Sequence, residues 1–248
     1  KGNITTLDDD TTQAATRFLV RIDKTLQFKD PSIHSACEYA LTSLLTSQFA
    51  SGGWSANYDR YPVKMPDEKE YPAIKASFPE KWSWTWTKDF TGCYVTNDNL
   101  MSDMIDTMLL AAEVYGDKRY LASAERAGDF LILAQMPEPQ PAWAQQYDAK
   151  MQPSWSRAFE PPAISGGESQ RILEALMRLY RVTGNKKYLE PIPPAIAWLK
   201  KSALPDGRLA RFYELKTNKP LYFMFQEDGR EVMTYNSDKL PTHYGFIV

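Results

Sequence analysis

Trp155-Ser-Arg157-Ala-Phe-Glu160-Pro-Pro-Ala-Ile-Ser165-Gly-Gly-Glu168-Ser169 sets one arginine and two carboxylates around a proline pair and the start of a helix. Pro161 and Pro162 forbid helix and extend the backbone just after Arg157. Ser165 with Glu168 three residues on has the spacing of a capping box. A long guanidinium in stiff chain beside a helix N-terminus suits an anionic ligand. The plainer alternative is that Arg157 only pairs with Glu160 or Glu168. Acidic helix starts recur at Asp8-Asp9-Asp10-Thr11 and at Thr96-Asn97-Asp98-Asn99. These suit capping and the helix dipole, and equally the binding of a hard cation by oxygen ligands.

The elements that would position these groups form a weak repeat. Gly116-Asp-Lys-Arg-Tyr120-Leu121 returns as Gly184-Asn-Lys-Lys-Tyr188-Leu189. Each follows a periodic helix, expected over Met101–Tyr115 and Ser169–Val182, and precedes another, over Ala122–Gln135 and Pro194–Lys201. A looser first copy has helices over Thr11–Ile22 and Ser32–Gln48. The exits match too: Gly52-Gly53-Trp54 through Tyr58-Asp59, Trp143 through Tyr147-Asp148, and Leu209 through Tyr213-Glu214 each set an apolar residue four places before a Tyr-acid pair. The expected fold is all-α, an α/α toroid of about three helical hairpins, with long loops and short β-strands lining a central cleft. All N-termini of one layer would then emerge on one face and gather the capping acids beside Arg157 and Arg211. One domain over 1–248 is expected, with a long loop excursion at 63–91. That excursion carries Trp82, Trp84 and Trp86 on one side of an extended strip, read either as a sugar-stacking surface or as packing. Leu221–Met233 reads as a short hairpin over Asp228-Gly229.

Composition narrows the function. A net charge of −2 gives no field for nucleic acid, and no apolar run is long enough to span a bilayer. Two histidines, His34 and His243, argue against a histidine triad or multi-histidine metal site. Cys37 and Cys93 could pair or stay free.

The chain resembles the polysaccharide lyase family 10 pectate lyases in four stretches: Ser51-Gly-Gly-Trp54-Ser, Tyr94-Val-Thr-Asn-Asp98-Asn-Leu-Met101, Ser156 through Ser169, and Ala210-Arg211-Phe-Tyr-Glu214-Leu-Lys-Thr-Asn-Lys-Pro220. Together these motifs span most of the chain, from about Asp8 to Pro220. The resemblance implies an α/α toroid, secretion, calcium and β-elimination of pectate. It departs at Trp143-Ala-Gln-Gln146-Tyr147-Asp148, where the family carries a His and an Asp at the positions of Gln146 and Tyr147. On the resemblance, Arg157 is the candidate base and Arg211 the candidate clamp for a substrate carboxylate. Asp98 with one of Asp8, Asp9 or Asp10 of the acidic triplet, Asp8 and Asp10 foremost, are candidate calcium ligands. Trp54, Glu160 and Lys219 are candidate substrate contacts, with Lys216 nearby. The expected partner is de-esterified pectate, met by a monomer outside the cell. A glycoside hydrolase using two of Glu160, Glu168 and Asp98, or a non-catalytic uronan-binding protein, are the alternatives.

Overall fold

The computed structural model describes residues 5–58, 69, 71–86, 94–225 and 231–238. Six helices form three consecutive hairpins. α1 (Thr11–Thr25) turns into α2 (Pro31–Thr46), α3 (Leu100–Tyr115) into α4 (Lys118–Ala134), and α5 (Gly166–Thr183) into α6 (Ile192–Ser202) through a 3-10 turn at Lys186–Leu189. α1, α3 and α5 pack side by side as the inner layer, and their partners lie outside. This is the α/α toroid arrangement that the repeat predicts. Each helix boundary is local chemistry. Asp30 and Asp117 accept backbone N–H groups at the starts of α2 and α4, while Gly116 and Gly184 end α3 and α5 in the left-handed region.

One end of every hairpin is closed by a short antiparallel pair. β1 (Thr5–Thr6) pairs with β2 (Asn57–Tyr58), and β3 (Tyr94–Val95) with β4 (Gln146–Tyr147). β5 (Ala163–Ser165) pairs with β6 (Phe212–Glu214), which continues through β7 (Pro220–Phe225) to β8 (Glu231–Thr234). β7 and β8 are the hairpin expected in Leu221–Met233; its turn at Asp228-Gly229 lies outside the described residues.

The repeated Tyr is what ties each exit strand down. Tyr58 OH accepts the Ser55 N–H and donates to the Ser47 carbonyl. Tyr147 OH does the same between Ala144 and Ala134, and Tyr213 OH between Ala210 and Ser202. The residue four places earlier fills the core behind it: Trp54 and Trp143 are fully buried, with indole N–H groups on the Leu44 and Leu131 carbonyls, and Leu209 stands third. Gly52 leads this loop because its φ is +99° and a Cβ there would lie 2.0 Å from the Arg126 carbonyl oxygen.

The inner faces of α1, α3 and α5 border a central cavity of about 610 Å³, lined by Arg17, Arg21, Asp106, Leu109 and Val182 among others. No helix among the described residues is long and apolar enough to cross a membrane. Cys37 is buried and hydrogen-bonded with Tyr115; Cys93 and His243 fall outside the described residues.

Candidate active site

Arg157 sits at the hairpin-closing end of the toroid, on the loop before β5. Its guanidinium meets carboxylates from three parts of the chain: Glu160 in a very short contact, Asp98 at 3.3 Å and Asp8 at 3.9 Å. Glu160 is fully buried and Arg157 is 36% exposed, so the pair is a charge held at the floor of an open site. Asp8, Ala56, Asn57, Asn97 and Arg157 line a concavity of about 180 Å³. Asn97 bridges the acids, donating through its amide to Asp98 at 2.7 Å and to Glu160 at 3.3 Å. The Glu160 bond and the nearby acids push the Arg157 pKa up, against an opposing effect of burial.

The acids are gathered by the turns before α1 and α3. Asp8–Asp10 forms a 3-10 turn, with Asp9 at φ 51° and Asp10 at φ 56°; Asp98 and Asn99 lie at 50° and 60°. Four side-chain-bearing residues in the left-handed region store strain, a common mark of a working site. Asp8, Asp9 and Asp98 each offer a carboxylate oxygen, and these lie within 4.8 Å of one another. Burial, with the like charge of Asp98, pushes Asp8 up to about 6.

Four sequence expectations are corrected here. Asp10 turns away from the cluster and pairs with Arg17 on α1, so Asp9 stands in its place. Trp54 is a fully buried core residue and presents no face to a ligand. Glu160 is likewise buried, and its carboxylate is bonded to Arg157 instead of facing the open concavity. Ser165 and Glu168 do not form a capping box: the Ser165 hydroxyl bonds the Glu168 carboxylate itself, whose other oxygen accepts from Gln145 at 2.7 Å. Asp98, for its part, does not cap α3. Asn99 holds the N-cap position, without a side-chain cap, and the Asp98 carboxylate is turned toward Arg157.

Arg211 enters at the start of β6, where its carbonyl accepts the Gly166 N–H. Its guanidinium lies 5.6 Å from the Phe212 ring centre, and that of Arg157 lies 5.2 Å from Phe159. Phe159 and Phe212 belong to one small apolar cluster with Ala163, Leu221 and Phe223, so both arginines rise from the same base. Glu214 is buried and accepts from Thr217 and, at 2.7 Å, from Tyr235. Lys216 and Lys219 are both exposed. Gln146, one of the departures from the family pattern, braces the Arg157 loop by donating to the Ser154 and Glu160 carbonyls. Tyr147, the other, is the buried strand latch. Sequence reasoning missed Asn97 and Gln145, neutral groups whose roles depend on the left-handed turn beside them. Around the site, Arg157 Nε, Glu160 Oε2, Gln145 Oε1 and Gln146 Oε1 are buried polar atoms still open to a partner, as a binding site demands.

With this geometry in hand, similarity to known proteins is informative. The pectic acid lyase family model matches residues 117–210, which include Arg157, Glu160 and Glu168. The family 10 polysaccharide lyase from Cellvibrio cellulosa superposes with a TM-score of 0.65 at 21% identity, covering 94% of this chain and 72% of that one. The chain thus shares its fold with that lyase, and its central segment resembles the pectic acid lyases. A variant of the same Cellvibrio lyase, in complex with trigalacturonic acid, gives a TM-score of 0.66 at 20% identity, over 94% and 73% of the two chains. Cellobiose 2-epimerase from Spirochaeta thermophila shares the fold more distantly, with a TM-score of 0.58 at 15% identity over 88% and 48%. No curated protein matches by sequence. The lyase-like segment between α4 and β6 thus holds the arginine loop, while Asp8, Asp98 and Arg211 lie outside it.

Proposed function

We propose that this chain cleaves a de-esterified polygalacturonate by β-elimination, with Arg157 taking the proton from C5 of the sugar. The observation that carries this reading is one half-exposed guanidinium held by Glu160 at the mouth of a concavity whose rim is acidic. Glu160, itself held by Asn97, anchors Nη2 of the guanidinium inside the protein, and Nη1, 3.9 Å from Asp8, is the end left for a substrate. As the proton leaves C5 for a guanidine nitrogen, the C4–O bond breaks and a C4–C5 double bond forms. The departing oxygen takes a proton from water. Arg211, over the same aromatic base, is suited to clamp a sugar carboxylate.

Asp8, Asp9 and Asp98 fit a calcium ion: all donors are carboxylate oxygens, and a cation would offset both the burial and the like charge of Asp98 that raise the Asp8 pKa. Calcium bound there supplies charge neutralisation of a substrate carboxylate, which acidifies the neighbouring C–H bond. The acids around Arg157 hold its proton, so activity is expected to rise toward alkaline pH as the neutral fraction grows. A polymer of the plant cell wall is met outside the cell, so the working form is a secreted one, acting as a monomer on a single site.

Glycoside hydrolysis is less well supported. It calls for two carboxylates free to act on either side of the bond, and here Glu160 is buried and both Glu160 and Asp98 are spent on one arginine. The deciding experiment is incubation with de-esterified pectate and calcium. An unsaturated uronide absorbing in the ultraviolet is the expected product; new reducing ends without that absorbance would sink the elimination reading.

A further inference from the structure

We propose that Trp84 and Tyr235, flanked by Lys219, form a second contact surface for acidic sugar units, adjoining the Arg157 site and extending it along the polymer. The inference rests on the proposed substrate class and adds a subsite to it. The segment Lys81–Trp86 is latched onto the arginine loop at two points. Trp155 Nε1 donates to the Ser83 carbonyl at 2.7 Å, and Trp86 Nε1 donates to the Ser156 carbonyl at 2.8 Å. The residues bonded are the two that immediately precede Arg157, so the strip and the site are parts of one surface.

Trp84 stands between the two latches. It is 47% exposed, and its ring meets that of Tyr235, 48% exposed, at 5.7 Å and 75°. Two large rings left open in a corner, in a strip fixed on both sides, are what a sugar face needs for stacking. Trp82 differs: it is partly buried against the core, with Lys216 over its ring at 5.7 Å. Of the three indoles that the alternation sets on one side, Trp82 and Trp86 are partly buried and Trp84 is the exposed one.

Charge then selects the sugar. Lys219 Nζ lies 5.2 Å from the Tyr235 ring centre, and both Lys216 and Lys219 are exposed. Glu214, bonded to Tyr235, is buried and also takes a hydrogen bond from Thr217. The corner thus offers apolar faces and an ammonium, complementary to a uronate ring with its carboxylate. A polymer reaching both the arginine site and this corner gains from effective concentration, whereas a short oligomer cannot.

The test is electrophoresis in native gels containing pectate or a neutral glucan, with chelator present, alongside the ultraviolet elimination assay. Wild type and Phe18→Ala, which removes an exposed ring on α1, should be retarded alike by pectate and not by the glucan. Trp84→Ala should weaken retardation by about fivefold, a share typical of one stacked ring. Lys219→Gln should weaken it as well, and serves if Trp84→Ala proves misfolded by circular dichroism. Retardation of both variants equal to wild type, no retardation of wild type, or equal retardation in both gels would overturn the proposal. Loss of retardation in the variants of a protein that yields no ultraviolet product would keep this surface and remove the lyase reading instead.

Discussion

Lysine can carry the charge of Arg157 but not its plane. Its single ammonium cannot hold Glu160 on one edge and present the other to a sugar. Arg157→Lys is therefore expected to lose at least about a hundredfold in turnover, within the range for a proton-transfer group, with an unchanged circular dichroism spectrum. Near-normal turnover would move the base elsewhere, with Arg211 the next candidate. Asp98→Ala makes a different point. Because Asp98 does not cap α3, its removal should not show the roughly 1 kcal/mol cost of a lost cap. It should abolish the rise in melting temperature that calcium gives the wild type, a measurement independent of activity. A variant that melts early yet keeps its calcium response would leave Asp98 as a scaffold residue. That Arg157, Glu160 and Asp98 gather in one place was legible, because the arginine motif and the acidic helix starts both pointed to one end of the hairpins. Which members of the acidic triplet face the site was not: two successive left-handed residues, Asp9 and Asp10, turn Asp10 toward Arg17, and no spacing rule announces that. Trp54 was a candidate contact on the family resemblance alone; like its counterpart Trp143 in the next hairpin, it is a core residue.

At the level of elements, the three tyrosine latches are the device that keeps the site end of each hairpin shut. Tyr147→Phe would leave the Ala144 N–H and the Ala134 carbonyl buried without their partner. A cost of about 2 kcal/mol is expected, from the usual penalty for buried unpaired groups, read as a lower denaturant midpoint at constant slope. A change under about 0.5 kcal/mol would mean that the strand pairs hold without the hydroxyl. Five of the six helices could be read from periodicity to within about three residues at each end, and the Tyr-acid repeat marked the exits, because both patterns are local. The short strand pairs were only partly legible. Each is two or three residues long and is specified by the latch and the helix it closes rather than by its own alternation.

For the whole molecule, the ionisable groups make stability and activity pull toward different pH values. Asp8 and Asp103 are both pushed up to about 6 by burial, and Asp106 is also raised. The folded state therefore binds protons that the unfolded chain has released, and stability falls as pH rises from about 4 to about 6. His34, held protonated chiefly by its hydrogen bond to Asp23, gives stability present below its ordinary value of 6.5 and lost as pH rises through its raised one. In chelator, the melting temperature should fall steadily from about pH 4 to about pH 8, while an arginine base favours the alkaline side. Saturating calcium should remove the part due to Asp8 and leave that of Asp103, whose charged neighbours are Asp10, Arg17, Asp106 and Arg178 rather than the acidic cluster. Asp8→Asn should flatten the same part without calcium. A calcium-insensitive pH profile would detach the acidic cluster from any cation.

Closure of every hairpin at one end leaves the opposite turns spare. At Gly116 and Gly184 an added Cβ would meet nothing within 4 Å. They are separated from the acidic mouth by helices of 16 and 18 residues, roughly 25 Å. A solid support coupled through the exposed Asp117–Lys118 turn would thus present every immobilised molecule mouth outward, open to a polymer too large to diffuse beneath it.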